Sequence, residues 1–214
     1  MELWKDGRSG PAGCVAGNLV LADIERSGES LALFKGTTFT GKSALYVGRV
    51  CAKDDYLQEG MLHWANLSPS QHQALSHHGK ELFYLFITAT REPAIHYWKV
   101  PGRVVGRFIG TLPIKPSDHS CWIRVREENG KQFLEGGSQT KGKGPEVTQY
   151  HHEIPLGSHE TAALKTAFQK PALAADGAGE ITAEQLVRLN MLVKDLGGIA
   201  VVRRALGILD DLKA

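Results

Sequence analysis

Val15, Leu19, Val20 and Ile24 recur at helical spacing and predict a helix over 11–25. Gly10, Gly13 and Gly17 weaken it by propensity, and Gly28 is its natural stop. The pattern then turns to short aliphatic and aromatic runs, predicting strands over 31–35 and 44–51 with a tight turn at Thr40-Gly41-Lys42. After a polar loop at 54–60, Ser68-Pro69-Ser70-Gln71 starts a second helix, which ends near Gly79. Ser68 is placed to cap, Pro69 fits the first turn and Gln71 completes a capping box. The run 82–87, LFYLFI, is the most apolar in the chain and predicts a central strand covered on both faces.

Further strands are predicted over 94–100, 104–109 and 121–126, with turns at Pro101-Gly102 and Asn129-Gly130 and a polar Gly/Lys loop over 136–145. Beyond His159 the pattern becomes helical again: a short helix over 160–169, a linker of small residues over 172–179, then a capping box at Thr182-Ala183-Glu184-Gln185. Leu186, Leu189, Leu192, Val193 and Leu196 form one apolar stripe. Gly197-Gly198 breaks it, and Ile199, Val202, Leu206 and Leu209 form a second. The expected architecture is α+β or α/β: a mixed central sheet flanked by helices over 1–157, and a helical tail over 158–214 carrying a hairpin at 182–213.

At 42% hydrophobic, 22% charged and net +2 over 214 residues, the chain sustains one sizeable core and names no partner by overall charge. No run of 18 apolar residues suggests a membrane span, and the first six residues carry no signal core, so a cytoplasmic location is expected. Three widely spaced cysteines, Cys14, Cys51 and Cys121, point to buried thiols rather than a disulfide framework or a zinc ribbon.

Gly36-Thr37-Thr38-Phe39-Thr40-Gly41-Lys42-Ser43 matches GxxxxGK[ST] letter for letter. In phosphate loops of that pattern backbone N–H groups surround the phosphates, the lysine reaches the terminal ones and the Ser hydroxyl holds magnesium. Gly36, Gly41, Lys42 and Ser43 are therefore the nucleotide-binding alternative. Its surroundings run against it, because the loop should open a helix whereas 44–50 has strand composition.

The stretch 45–105 resembles the PD-(D/E)xK restriction-endonuclease-like superfamily over about a third of the chain. The resemblance lies in the order helix, hairpin, helix, long apolar strand, and in the YW-x-VP segment Tyr97-Trp98-Lys99-Val100-Pro101. It implies a nuclease-like fold and, in a catalytic member, magnesium held by an Asp, a Glu or Gln, and a Lys. At the matching place the chain has Arg49-Val50-Cys51-Ala52-Lys53, with Asp54 and Asp55 following; Lys53, Asp54 and Asp55 are the only candidate catalytic groups. This departure at the metal ligands implies a catalytically inactive, DNA- or RNA-associated domain; if it were an enzyme, it would be a divergent Mg-dependent nuclease.

Between residues 99 and 143 nine basic side chains stand against four acidic ones. Arg103, Arg107, Arg124, Arg126, Lys141 and Lys143 are the candidates for phosphate contact; a solvated sheet face is the plainer account. Tyr97, Trp98 and Trp122 have the chemistry to stack bases or to fill a core. The pairs His77-His78 and His151-His152 lack metal-ligand spacing, so no metal site is expected, and Asp118-His119-Ser120 reads as a turn. The tail hairpin suits self-association or a protein partner. A third reading is a structural or protein-interaction module with no small ligand.

Overall fold

A computed structural model describes residues 3–4, 10–51, 60–89, 94–136 and 143–168. The chain divides into two units, 1–170 and 171–214. The second unit lies outside the described residues, and with it the predicted hairpin.

The first unit opens with α1 (Gly10–Arg26), whose Ala16, Val20, Leu21 and Ile24 are buried. Gly28, at φ 101°, turns the chain out of the helix into β1 (Ala32–Lys35). β2 (Thr38–Thr40) and β3 (Ala44–Cys51) follow as an antiparallel meander. β4 (Met61–Leu67) leaves for a second sheet, and α2 (Pro69–Ser76) starts where Ser68 Oγ accepts the Gln71 amide at 3.4 Å. The chain then returns as β5 (Glu81–Thr88), parallel to β3 from Ala44↔Glu81 to Cys51↔Thr88. A parallel pair needs a crossover, and β4 and α2 lie within it. β6 (Ala94–Pro101) runs antiparallel to β5.

Residues 102–109 form a helix, α3 (Gly102–Ile109), and not the predicted strand. Val105, Phe108 and Ile109 recur at i, i+3 and i+4 and are the buried ones, so the helical period outweighs the β-branched composition. β7 (Cys121–Glu128) and β8 (Lys131–Gly136) form a two-residue hairpin through Asn129 (φ 53°) and Gly130 (φ 73°), the left-handed pair that such a loop needs. The end of the expected 136–145 loop is instead part of a strand, β9 (Lys143–Glu146). A single 3₁₀ turn leads from it to β10 (His151–Pro155) and α4 (Ser158–Phe168). α4 belongs to the first unit, where its Leu164 is buried in one core with α1.

The fold class is thus mixed α and β, with a mixed sheet of order β1-β2-β3-β5-β6-β10 and a four-stranded antiparallel sheet of order β4-β7-β8-β9. One core fills the space between the sheets, with Val47, Tyr84, Phe86 and Trp98 from the first facing Ala65, Leu67, Ile123, Val125 and Leu134 from the second, and α2 and α3 supplying Leu75, Val105 and Phe108. The other covers the far face of the first sheet, where Tyr46, Leu85, Ile87 and Ile95 meet Trp4, α1 and α4. β5 is the central strand the sequence predicts: Tyr84 and Phe86 enter one core, Leu85 and Ile87 the other.

Candidate nucleic-acid interface

The second sheet has an inner and an outer face because its residues alternate. On β7, Cys121, Ile123 and Val125 are buried; Trp122 and Arg124 are half-buried and Arg126 is exposed. On β4, Ala65 and Leu67 point inward, and Trp64 and Asn66 outward, while Leu62, beside a register irregularity, packs against the inner core. Register sets Trp64 opposite Arg124 and Asn66 opposite Trp122. The two indoles meet edge to face, centroids 6.0 Å apart at 68°. The Lys115 ammonium lies 4.9 Å from the Trp122 ring centroid, close enough for cation–π attraction, and 3.9 Å from Asp118.

Arg126 pairs with Glu135 across the hairpin at 3.7 Å, and Lys131 with Glu146 at 3.2 Å. Arg124 differs: among the described residues it forms no ion pair, and its Nε is shielded from water with no acceptor. Asn66 Oδ1 and Trp122 Nε1 are in the same condition on the same face. A shielded polar group without a partner costs about 1–3 kcal/mol, so three such groups together mark a surface unsatisfied by the described residues themselves.

The remaining basic candidates are dispersed. Arg103 and Arg107 stand one turn apart on α3, and Arg103 reaches Glu81 at 3.9 Å. Lys143 begins β9, while Lys141 lies outside the described residues. The structure therefore brings Arg124 and Arg126 onto one face with two tryptophans and leaves the α3 pair on a different element. Trp64 was missed because β4 carries His63 on its buried side, which disguises the alternation of an otherwise ordinary strand.

The GxxxxGK[ST] segment does not form a strand–loop–helix cradle. Thr38–Thr40 is strand, and Ser43 leads directly into β3, whose eight residues pair with β5. The Lys42 amide donates to Glu29 Oε2 at 2.9 Å and its Nζ to the Gly28 carbonyl at 3.3 Å. Lys80 Nζ ties down Thr40 Oγ1 at 2.9 Å and the Gly41 carbonyl at 2.6 Å. A carboxylate thus sits where a phosphate would need to approach, so Gly36, Gly41, Lys42 and Ser43 form a closed hairpin.

Lys53, Asp54 and Asp55 lie outside the described residues. Arg49, which precedes them on β3, is described and is committed to structure. Its guanidinium donates to Thr37 Oγ1 (2.8 Å), the Asn66 carbonyl (3.3 Å) and Gln71 Oε1 (3.0 Å), joining the β1–β2 turn, β4 and α2. Among the described residues no group of three His, Cys, Asp or Glu side chains is placed to hold a metal ion. His96 Nδ1 and His151 Nε2 stand 3.2 Å apart in nearly parallel rings and form a hydrogen bond with each other. Burial and the neighbouring His96 push the His151 pKa down. Cys51 and Cys121 are buried thiols, and Asp118-His119-Ser120 is a turn in which Ser120 Oγ donates to Asp118 at 2.8 Å. No helix among the described residues is long and apolar enough to cross a membrane.

Compared with protein-family models, curated proteins and solved structures, the chain matches none.

Proposed function

We propose that this protein is a nucleic-acid-associated domain of nuclease-like fold that does not itself cleave, and that it meets its ligand through the outer face of the β4-β7-β8-β9 sheet. The observation that carries this reading is that Trp122, Arg124 and Arg126 alternate along one strand face, with Trp64 beside them and Lys115 above, while Arg124 has no carboxylate partner among the described residues. Guanidinium groups on a sheet contact phosphates through charge-assisted hydrogen bonds, and aromatic neighbours favour a ligand with flat faces. The element order α1, β1–β4, α2, β5, β6 keeps the helix, hairpin, helix and long apolar strand behind the resemblance, with β4 added between hairpin and second helix, and supports the nuclease-like part of the reading. The restricted role follows from the sequence: in one register of that resemblance Arg49 stands at the acidic or amide ligand and Cys51 at the lysine, in the other Lys53 is the lysine and Cys51 replaces the acid, and the Arg49 guanidinium is engaged with Thr37, Asn66 and Gln71.

The test is a filter-binding titration with duplex and single-stranded DNA and RNA at low and moderate salt. Affinity should fall as salt rises, because each neutralised phosphate releases counterions, and Arg124→Gln should flatten the log–log slope by about one. No retention of any nucleic acid at low salt overturns the reading.

A further inference from the structure

We propose that the His96–His151 pair is an acid-released latch at the edge of the first sheet. It holds β10 on β6 while a single proton lies between the two facing nitrogens, and it releases β10 when each nitrogen carries its own. Strand register brings the parts together. Glu153 is directly opposite His96 and His151 directly opposite Trp98, so all four side chains share the face on which Trp98 enters the core between the sheets. His96 Nδ1 and His151 Nε2 are 3.2 Å apart, and Glu153 Oε2 is 4.0 Å from His96 Nδ1. The His151 ring also lies against Trp98, centroids 5.1 Å apart, and Trp98 is buried. Among the described residues β6 is the one strand that β10 pairs with, so β10 is an edge strand.

An N–H···N bond needs one nitrogen with its proton and one without. The neutral pair meets that condition. So does the singly charged pair, because the added proton is accommodated on an outer nitrogen, His96 Nε2 or His151 Nδ1. A second charge puts a proton on both facing nitrogens: the bond is lost, and two like charges confront each other across it. Burial, the neighbouring His96 and His152 beside it on β10 oppose protonation of His151, whereas Glu153 and, from β7, Glu127 favour it. Burial is the largest of these influences, so His151 titrates below an ordinary histidine. The attached strand therefore binds fewer protons than the released one. Attachment is complete above about pH 6.5 and weakens as the pH falls, in steps that belong to the pair rather than to either ring. Release uncovers Trp98 and leaves the backbone of β6 unpaired along that side. A closed sheet edge thus becomes one able to accept an added strand.

The experiment is hydrogen exchange followed by mass spectrometry on the whole chain between about pH 7 and about pH 5, with rates corrected for the intrinsic effect of pH on amides. Protection of β10 should fall about tenfold or more over that range, while β5 keeps its own. His151→Gln retains a hydrogen-bonding side chain that does not titrate, and should hold β10 protection level with pH. Glu153→Gln removes a carboxylate that favours the charged pair, and should shift the pH at which β10 opens. Three results overturn the inference: β10 protection that does not change with pH, β10 and β5 losing protection together as in global unfolding, or an unaltered pH response in His151→Gln. Should His151→Gln already open β10 at neutral pH, Glu153→Gln decides, and an opening pH equal to that of the natural chain overturns the latch.

Discussion

His63 sits on the inner side of β4, its ring 5.3 Å from that of Phe86 and its Nδ1 3.5 Å from Thr88 Oγ1, while Nε2 finds no partner. Burial pushes its pKa down to about 3, with Arg49 adding to the effect and a hydrogen bond to the Ile87 backbone opposing it. The folded protein therefore keeps this imidazole neutral across a range in which the unfolded chain, titrating near its ordinary value, takes up a proton. Stability is full above about pH 6.5 and falls as the pH drops toward 3, by up to about 1.4 kcal/mol per pH unit from this residue. His72, His151 and His152 are lowered in the same direction, chiefly by burial, and steepen the slope with the same sign. The isolating measurement is urea denaturation from pH 7 to pH 4 for the natural chain and for His63→Leu. The variant should lose about one proton's worth of slope, and parallel curves would show that His63 is not the neutral buried group described.

At the level of elements, Trp4 locks α1 to the first sheet. Its backbone N–H donates to Asn18 Oδ1 at 2.9 Å, its ring lies 5.3 Å from Phe39, and the indole occupies space that a Cβ on Gly17 of α1 or Gly48 of β3 would fill. Gly48→Ala should therefore cost about 2 kcal/mol or more, since the surrounding core is closed and the indole has nowhere to go. The same substitution in a Trp4→Leu background should cost clearly less, and equal costs in a double-mutant cycle would break the proposed contact. This pairing also explains part of what the sequence concealed. Gly17 counts against a helix by propensity, yet it is needed for the indole to reach the sheet. Strands β3, β5 and β6 were legible because continuous apolar runs dominate them, and α2 because its cap is local chemistry. β2, β4, β9 and β10 were not, being short, polar or carrying histidines, and fixed by pairing with distant partners. Arg124 and Arg126 could be placed on one face from their spacing alone. That Trp64 joins them required the β4–β7 register, which no local pattern encodes.

Across the whole molecule, the two cores meet on opposite faces of β5, and this sets where the fold is hardest to open. β5 is hydrogen-bonded on one side to β3 and on the other to β6, and from Tyr84 to Ile87 its side chains are almost wholly enclosed. β1 is the opposite case, an edge strand with all four residues exposed and a register shift between Leu33 and Lys35; such an irregularity blunts an edge against adding foreign strands. Local opening costs little where few apolar contacts are lost and approaches the global unfolding free energy where both faces are packed. Hydrogen exchange followed by mass spectrometry should find the slowest amides in β5 and the adjoining β3, and the fastest strand amides in β1. The antiparallel sheet, buried on its inner face only, should exchange between these limits, and nucleic acid should slow β4 and β7 within it while leaving β5 unchanged. Slowest exchange in β7 or β8 in the free protein would mean that the outer face is already sealed, and would place the structural centre of the molecule in the wrong sheet.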